Sequence, residues 1–133
     1  MSQWIEGDEL LLRQVHPAFL EGEHLASSTF MPTAKDRGQL SVDRSSMTTA
    51  AASFELYVGN GYQSVAVYGV AAQEFVEAKL RCHPDPLPAI GSQKANAAHA
   101  YVDYSLVNGS QGKKIAKRLR NVAVGRGRLY PLD

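Results

Sequence analysis

Cys82, His83, Asp85, His99 and Asp103 come nearest, by type and spacing, to a reactive constellation in this chain. A thiolate, two imidazoles and two carboxylates are the donor set of a zinc-type site. The spacing opposes that reading. Adjacent Cys82 and His83 cannot both face one metal on a regular element, and no CxxC, HExxH or paired HxE and CxxC pattern occurs. No metal and no cofactor is therefore expected. A nucleophilic triad fares no better: on a strand His99 and Asp103 share a face but stand about 13 Å apart, too far for one to orient the other. No GxSxG elbow is present, and Cys82 lacks the cationic or helix-start setting that makes a thiolate. Gly59-Asn60-Gly61 follows a helical pattern, not a strand, so it reads as a cap and turn and not as a phosphate loop.

Two weaker patterns remain. Arg13 or His16, then Ser27-Ser28-Thr29, then Glu74 or Glu77, occur in the order in which the ADP-ribosyltransferase fold frames a nicotinamide dinucleotide with a basic residue, a serine-bearing strand and an acid. The shared feature is order alone. The second pattern is the row Lys113, Lys114, Lys117, Arg118 and Arg120, a rail on one side of a helix that could meet the phosphates of a nucleic acid. A pI near 7.9, the lack of a helix-turn-helix or zinc-finger pattern, and the lack of interleaved aromatics weigh against polyanion binding. Charge is nevertheless uneven. Residues 1 to 60 carry eight acids against four bases, and residues 111 to 133 carry seven bases against Asp133 alone. Such a split complements itself within one fold, helps subunits pair, or steers a partner.

The elements that must position these groups follow from periodicity. On a helix, Ile115, Ala116, Leu119, Val122 and Ala123 form one apolar arc opposite the basic rail, so the run from Gly112 to Tyr130 predicts an amphipathic closing helix ending near Gly125. Glu9 to Val15 alternates as a first strand and ends at His16-Pro17. Ala18 to Asp43 reads as a long irregular excursion with two brief extended pieces, a candidate binding loop. Ser45 to Tyr57 predicts a helix capped by Ser46, Thr48 or Thr49. Ser64 to Val70 predicts a central strand buried on both faces, with Gly69 admitting a close neighbour. Ala71 to Leu80 predicts a short helix, and three prolines keep 82 to 88 extended. Asn96 to Leu106 alternates again, with His99, Tyr101, Asp103 and Ser105 on a polar face.

With 133 residues, 44% hydrophobic and 20% charged, the chain has the make-up of one folded domain. It contains no apolar run long enough to span a membrane. An acidic start without a basic segment or a long apolar core does not resemble a secretory signal, and a lone cysteine cannot form an internal disulfide. These features predict a cytoplasmic protein. The expected architecture is a single α+β domain over residues 1–133. It should hold a mixed or antiparallel sheet of three to five strands, packed by two to three helices, with the amphipathic helix last.

The segments LLRQVHPAF, SSTFMPTAKDRGQLSV, SVAVYGV, HPDPLP, HAYVDYS and IAKRLRNVAVGRGRLY, in this order, resemble a group of small uncharacterised bacterial proteins. That resemblance implies a bacterial, single-domain, cytoplasmic protein and carries over no catalytic or ligand residue. Arg13, His16, Ser28, Lys35, Asp36 and His99 are the candidate ligand-binding residues, provided that the first and last strands are neighbours. The functional expectation is a binding or accessory protein acting through protein–protein contacts, with a partner protein or a second copy. Nucleic-acid binding through the closing helix and an ADP-ribosyltransferase-like activity are the alternatives.

Overall fold

Apolar–polar alternation in the strands and a 3.6-residue apolar stripe in the last helix leave one-sided elements, which must cover one another. The computed structural model, which describes residues 4–33 and 36–132, shows how they do so. In chain order the elements are β1 (Leu10–Val15), β2 (Leu20–Glu21), β3 (His24–Leu25), β4 (Gln39–Arg44), α1 (Ala50–Gly59), β5 (Ala66–Ala71), α2 (Ala72–Glu77), β6 (Arg81–Pro84), β7 (His99–Asp103) and α3 (Gly109–Arg126). Short 3-10 turns occupy Pro17–Phe19 and Ser27–Phe30. The result is a single-domain α+β fold. Its five-stranded antiparallel sheet has the order β5-β1-β4-β7-β6, and β2 and β3 form a separate small hairpin.

The main core lies on one face of the sheet, where Leu11, Val15, Leu40, Val42, Val70, Ala100 and Val102 meet the turn at Phe30 and the helix stripe Ala116, Leu119 and Ala123. Leu119 is fully buried, and removing a leucine side chain from water contributes about 1.5–3 kcal/mol. The closing helix starts earlier than the apolar arc alone requires. Asn108 accepts from the Gln111 amide at 2.8 Å, and the Gln111 side chain accepts from the Asn108 amide at 3.1 Å, so a reciprocal cap sets its first turn. α1 starts later than predicted, because Thr49 is the residue that caps it, through Ala52 N–H.

Two placements differ from expectation. Gln39–Arg44, inside the stretch read as an irregular excursion, is the middle strand of the sheet. Its polar–apolar alternation is regular, but with only Leu40 and Val42 as apolar residues it reads as a brief extended piece and not as a central strand. Conversely, the run around Val67 is buried on both faces yet forms the outer strand β5. The C-terminal tail supplies the missing neighbour: Val67 N–H donates to Tyr130 O at 2.8 Å and Leu129 N–H donates to Val67 O at 2.9 Å. Gly69 admits this tail, since a Cβ there would stand 2.8 Å from Leu129 Cδ1. At the other edge Ile5 N–H donates to Cys82 O at 2.8 Å, so short segments cover part of both open edges.

On the opposite face, α1 is held by a polar chain. Ser53 Oγ donates to Asp43 Oδ2 at 2.6 Å and accepts from Gln14 Nε2 at 2.8 Å, while Ser64 Oγ donates to Gln14 Oε1 at 2.8 Å. Asn96 Nδ2 satisfies Asp43 Oδ1 at 2.8 Å. Asp43 is buried with no ion pair among the described residues, so these neutral donors carry the cost of its desolvation. At the start of β1, Glu9 takes a two-pronged bond from Arg44 (3.1 and 2.9 Å), plus the Ser46 hydroxyl at 2.6 Å.

Ser53→Ala removes one donor from a buried carboxylate and should cost about 1–3 kcal/mol, read as a lower urea midpoint at unchanged slope. Burial alone would raise the Glu9 pKa, but its bonds to Arg44 and Ser46 outweigh that and hold it below its ordinary 4.5. A depressed carboxylate contributes stability above its unfolded pKa and loses it as pH falls through the folded one. The stability gap between wild type and Glu9→Gln should therefore be full at neutral pH and close progressively below about pH 4.5, as measured by denaturant titration across pH.

Candidate functional site

Arg13 sits where the sheet comes apart. β1 pairs with β5 from Leu10↔Ala71 to Val15↔Ala66, but with β4 only at Leu11↔Arg44 and Leu12↔Asp43. Past Leu12 the two central strands separate, and the Arg13 guanidinium spans the opening. Its Nε donates to Thr29 O at 2.8 Å and its Nη1 to Ser41 O at 3.0 Å. Among the described residues no carboxylate forms an ion pair with it. Burial pulls its pKa below the ordinary guanidinium value, partly offset by Tyr57, Asp36 and Tyr104, which act on it electrostatically. Tyr57, near the end of α1, acts on it only electrostatically, with its own phenol pushed up by burial and drawn back by Arg13. Tyr57 also stacks on Tyr62, with ring centroids 4.9 Å apart. Tyr104 donates its hydroxyl to Phe30 O and is likewise pushed up, mainly by burial.

The other candidate ligand-binding residues separate. Asp36 stays with Arg13, and its Oδ2 accepts from the Thr33 amide at 2.8 Å and hydroxyl at 2.6 Å. Ser28 is exposed beside Thr29, in the turn that receives the Arg13 bond. His16 is exposed, caps the Pro17–Phe19 turn through its Nδ1 and meets Phe19 edge-on. Lys35 lies outside the described residues. His99 is elsewhere: β4 runs between β1 and β7, so the first and last strands are not neighbours. The His99 ring approaches Asp85 instead, 3.0 Å from its carbonyl and 3.2 Å from its carboxylate. The unforeseen strand β4 is the reason, because it inserts between the two strands assumed to touch.

A second surface was hidden in the alternation of β7. α1 lies over β1 and β5 and is bonded to Asp43 of β4, whereas Gln39, Ser41, Arg81, His83, Tyr101 and Asp103 share the rest of that sheet face with no helix over them among the described residues. His83 and Tyr101 stack across strands with centroids 5.0 Å apart and planes at 23°. The Arg81 guanidinium stands 3.9 Å above the Trp4 ring. The Ser105 side chain and backbone bonds depress the Asp103 carboxyl, with His83 and Arg81 adding to the effect. Sequence reasoning named His83, His99 and Asp103 of this face as metal-type donors and Tyr101 as part of a polar strand face, without pairing them. The polar alternation was its signal, but the aromatic pairings needed the β6–β7 register Cys82↔Val102 and His83↔Tyr101.

The basic rail is only partly a rail. Lys113, Lys114 and Lys117 are exposed, whereas Arg118 faces Glu77 at 3.9 Å. Arg120 turns inward, donating to Leu25 O at 3.1 Å beside a cleft of about 490 Å³ between the β2–β3 hairpin and α3. The serines of the transferase-like order stand in a 3-10 turn and not on a strand. Glu74 is committed to the Ala71 amide at 2.7 Å and to Arg126 at 3.0 Å, and Glu77 faces Arg118. Among the described residues no three His, Cys, Asp or Glu side chains gather as a metal site. None of the described helices is long and apolar enough to cross a membrane.

Compared with known proteins, the chain matches no family model, no curated protein and no solved structure. Cys82 is fully buried under the sheet, and burial pushes its thiol up to about 12. Native protein at pH 8 should resist iodoacetamide, while protein in denaturant should take up one equivalent, as counted by intact-mass spectrometry.

Proposed function

We propose that this is a bacterial cytoplasmic binding protein that engages a partner protein through the uncovered part of its sheet. The observation that carries the reading is the pair of ready-made aromatic contacts on that face, His83 on Tyr101 and Arg81 on Trp4. Interface hot spots are enriched in tryptophan, tyrosine and arginine, and side chains held by strands lose little freedom on binding. The charges favour a protein surface over a polyanion: Arg81 and His83 stand against Asp103, leaving the patch close to neutral.

The row Lys113, Lys114 and Lys117 supports a second reading, polyanion contact, because no ion pair neutralises these lysines among the described residues. The two readings use different surfaces and separate cleanly. A photo-crosslinking residue placed at Ser41 in bacterial cytoplasm should give one discrete protein adduct, absent when placed at Lys117. Tyr101→Ala or Trp4→Ala should reduce that adduct about tenfold, as expected of an interface hot spot. Equal adducts from both positions, or an Ser41 adduct insensitive to Tyr101→Ala, would count against the sheet face. Salt-sensitive retention of random nucleic acid, lost in a Lys113, Lys114 and Lys117 triple alanine variant, would favour the rail.

A further inference from the structure

We propose that the partner on the uncovered sheet face is a second copy of this chain, related by a two-fold axis that runs along the strands between β6 and β7. The assignment rests on that face being the binding surface.

A two-fold contact sets one surface patch against itself, so the patch must be its own complement. The register supplies this. Across β6 and β7, Arg81 lies opposite Asp103 and His83 opposite Tyr101. Half a turn about an axis between the two strands exchanges them, so each Arg81 faces the partner's Asp103 and each Tyr101 the partner's His83. An axis over β7 would instead set Asp103 against Asp103, and one over β6 Arg81 against Arg81, both like-charge contacts. The charges are available for the exchange. Among the described residues neither Arg81 nor Asp103 forms an ion pair. Arg81 lies over the Trp4 ring, and the Asp103 carboxylate is bound by Ser105 of its own turn.

α1 points the same way. Its ten residues carry one charge, Glu55, and bury only Ser53, while Val58 is 42% exposed. A helix with so little polar surface is normally covered. Here it stands over β1 and β5 as a step one helix thick, about 10–12 Å, beside the strands that no helix covers. Stacked sheets lie about 10 Å apart. The step on each copy therefore fits beside the open β6 edge of the other and meets the segment there that carries Trp4 and pairs Ile5 with Cys82. One symmetric contact covers both the bare strands and the apolar helix.

The test is sedimentation velocity of the purified full chain up to about 100 μM, where a dimer of micromolar Kd is well populated. The expected species has twice the 14.5 kDa mass of the chain. Arg81→Asp and Asp103→Arg each enter the contact twice, at about tenfold apiece, so each variant alone should dimerise about a hundredfold more weakly. Mixed together, the two should form a heterodimer, because every facing pair is again opposite in sign; native mass spectrometry distinguishes it by mass. Tyr101→Ala, which changes no charge and leaves the Asp103 turn intact, should weaken the dimer at least tenfold. A dimer that none of these substitutions weakens lies elsewhere and overturns the proposal, as does a mixture of the charge variants that stays monomeric. A wild-type monomer throughout overturns it too. That last result leaves the sheet-face reading standing where a crosslinking residue at Ser41 still captures a different protein, and removes it where no adduct forms.

Discussion

The rest of the structure depends on how β4 is held in the middle of the sheet when it pairs with β1 at only Leu11↔Arg44 and Leu12↔Asp43. Backbone groups that lose their ladder partners must find others. Arg13 supplies them, binding Ser41 O of β4 and Thr29 O of the turn above, and so joins three segments that the ladder no longer joins. One charged group placed where a strand pairing fails thus holds the middle of the sheet together.

Around that point the fold is tied down from both faces. On the core face, α3 and the Ser27–Phe30 turn pack together over Leu11, Val15, Leu40 and Val102. On the other face, Asp43 gathers Ser53, and through it Gln14 and Ser64, with Asn96 on its second oxygen. That network holds α1 over one part of the sheet and leaves the part formed by β7, β6 and the neighbouring edge of β4 without a helix. The uncovered aromatic face is therefore a consequence of where a single buried carboxylate anchors its helix. A buried carboxylate without a cation is tolerable because each oxygen has a donor.

Local chemistry made much of the fold legible. The apolar stripe of α3, the stop at His16-Pro17 and the close approach at Gly69 all rest on interactions within a few residues or on the size of one side chain. β4 was not legible in the same way. Its alternation is regular but holds only Leu40 and Val42 as apolar residues, too short a signal to mark a central strand; in the sheet Asp43 faces α1 and Ser41 solvent. Of the candidate ligand residues, Arg13 and Asp36 come together and Ser28 lies beside them, but His99 does not join them. The error traces to one missing strand, which displaced β7 by a full sheet position. Thr29 entered only as part of the Ser27-Ser28-Thr29 run and Tyr57 not at all as a site residue, because their relation to Arg13 is set by the fold.

By itself the sequence determined the class of the fold, the amphipathic character of its last helix and the presence of a basic C-terminal segment. Those properties follow from periodicity, composition and near-neighbour chemistry, which the chain carries wherever it folds. The tertiary structure alone decided the strand order, the opening beside Arg13 and the stacking of His83 on Tyr101 and Arg81 on Trp4. Each depends on contacts between residues far apart in the chain, and a one-residue change of register would send every side chain of a strand to the opposite face. What the closing helix covers is thus written in its stripe. What the protein presents to a partner is set by which strands stand side by side.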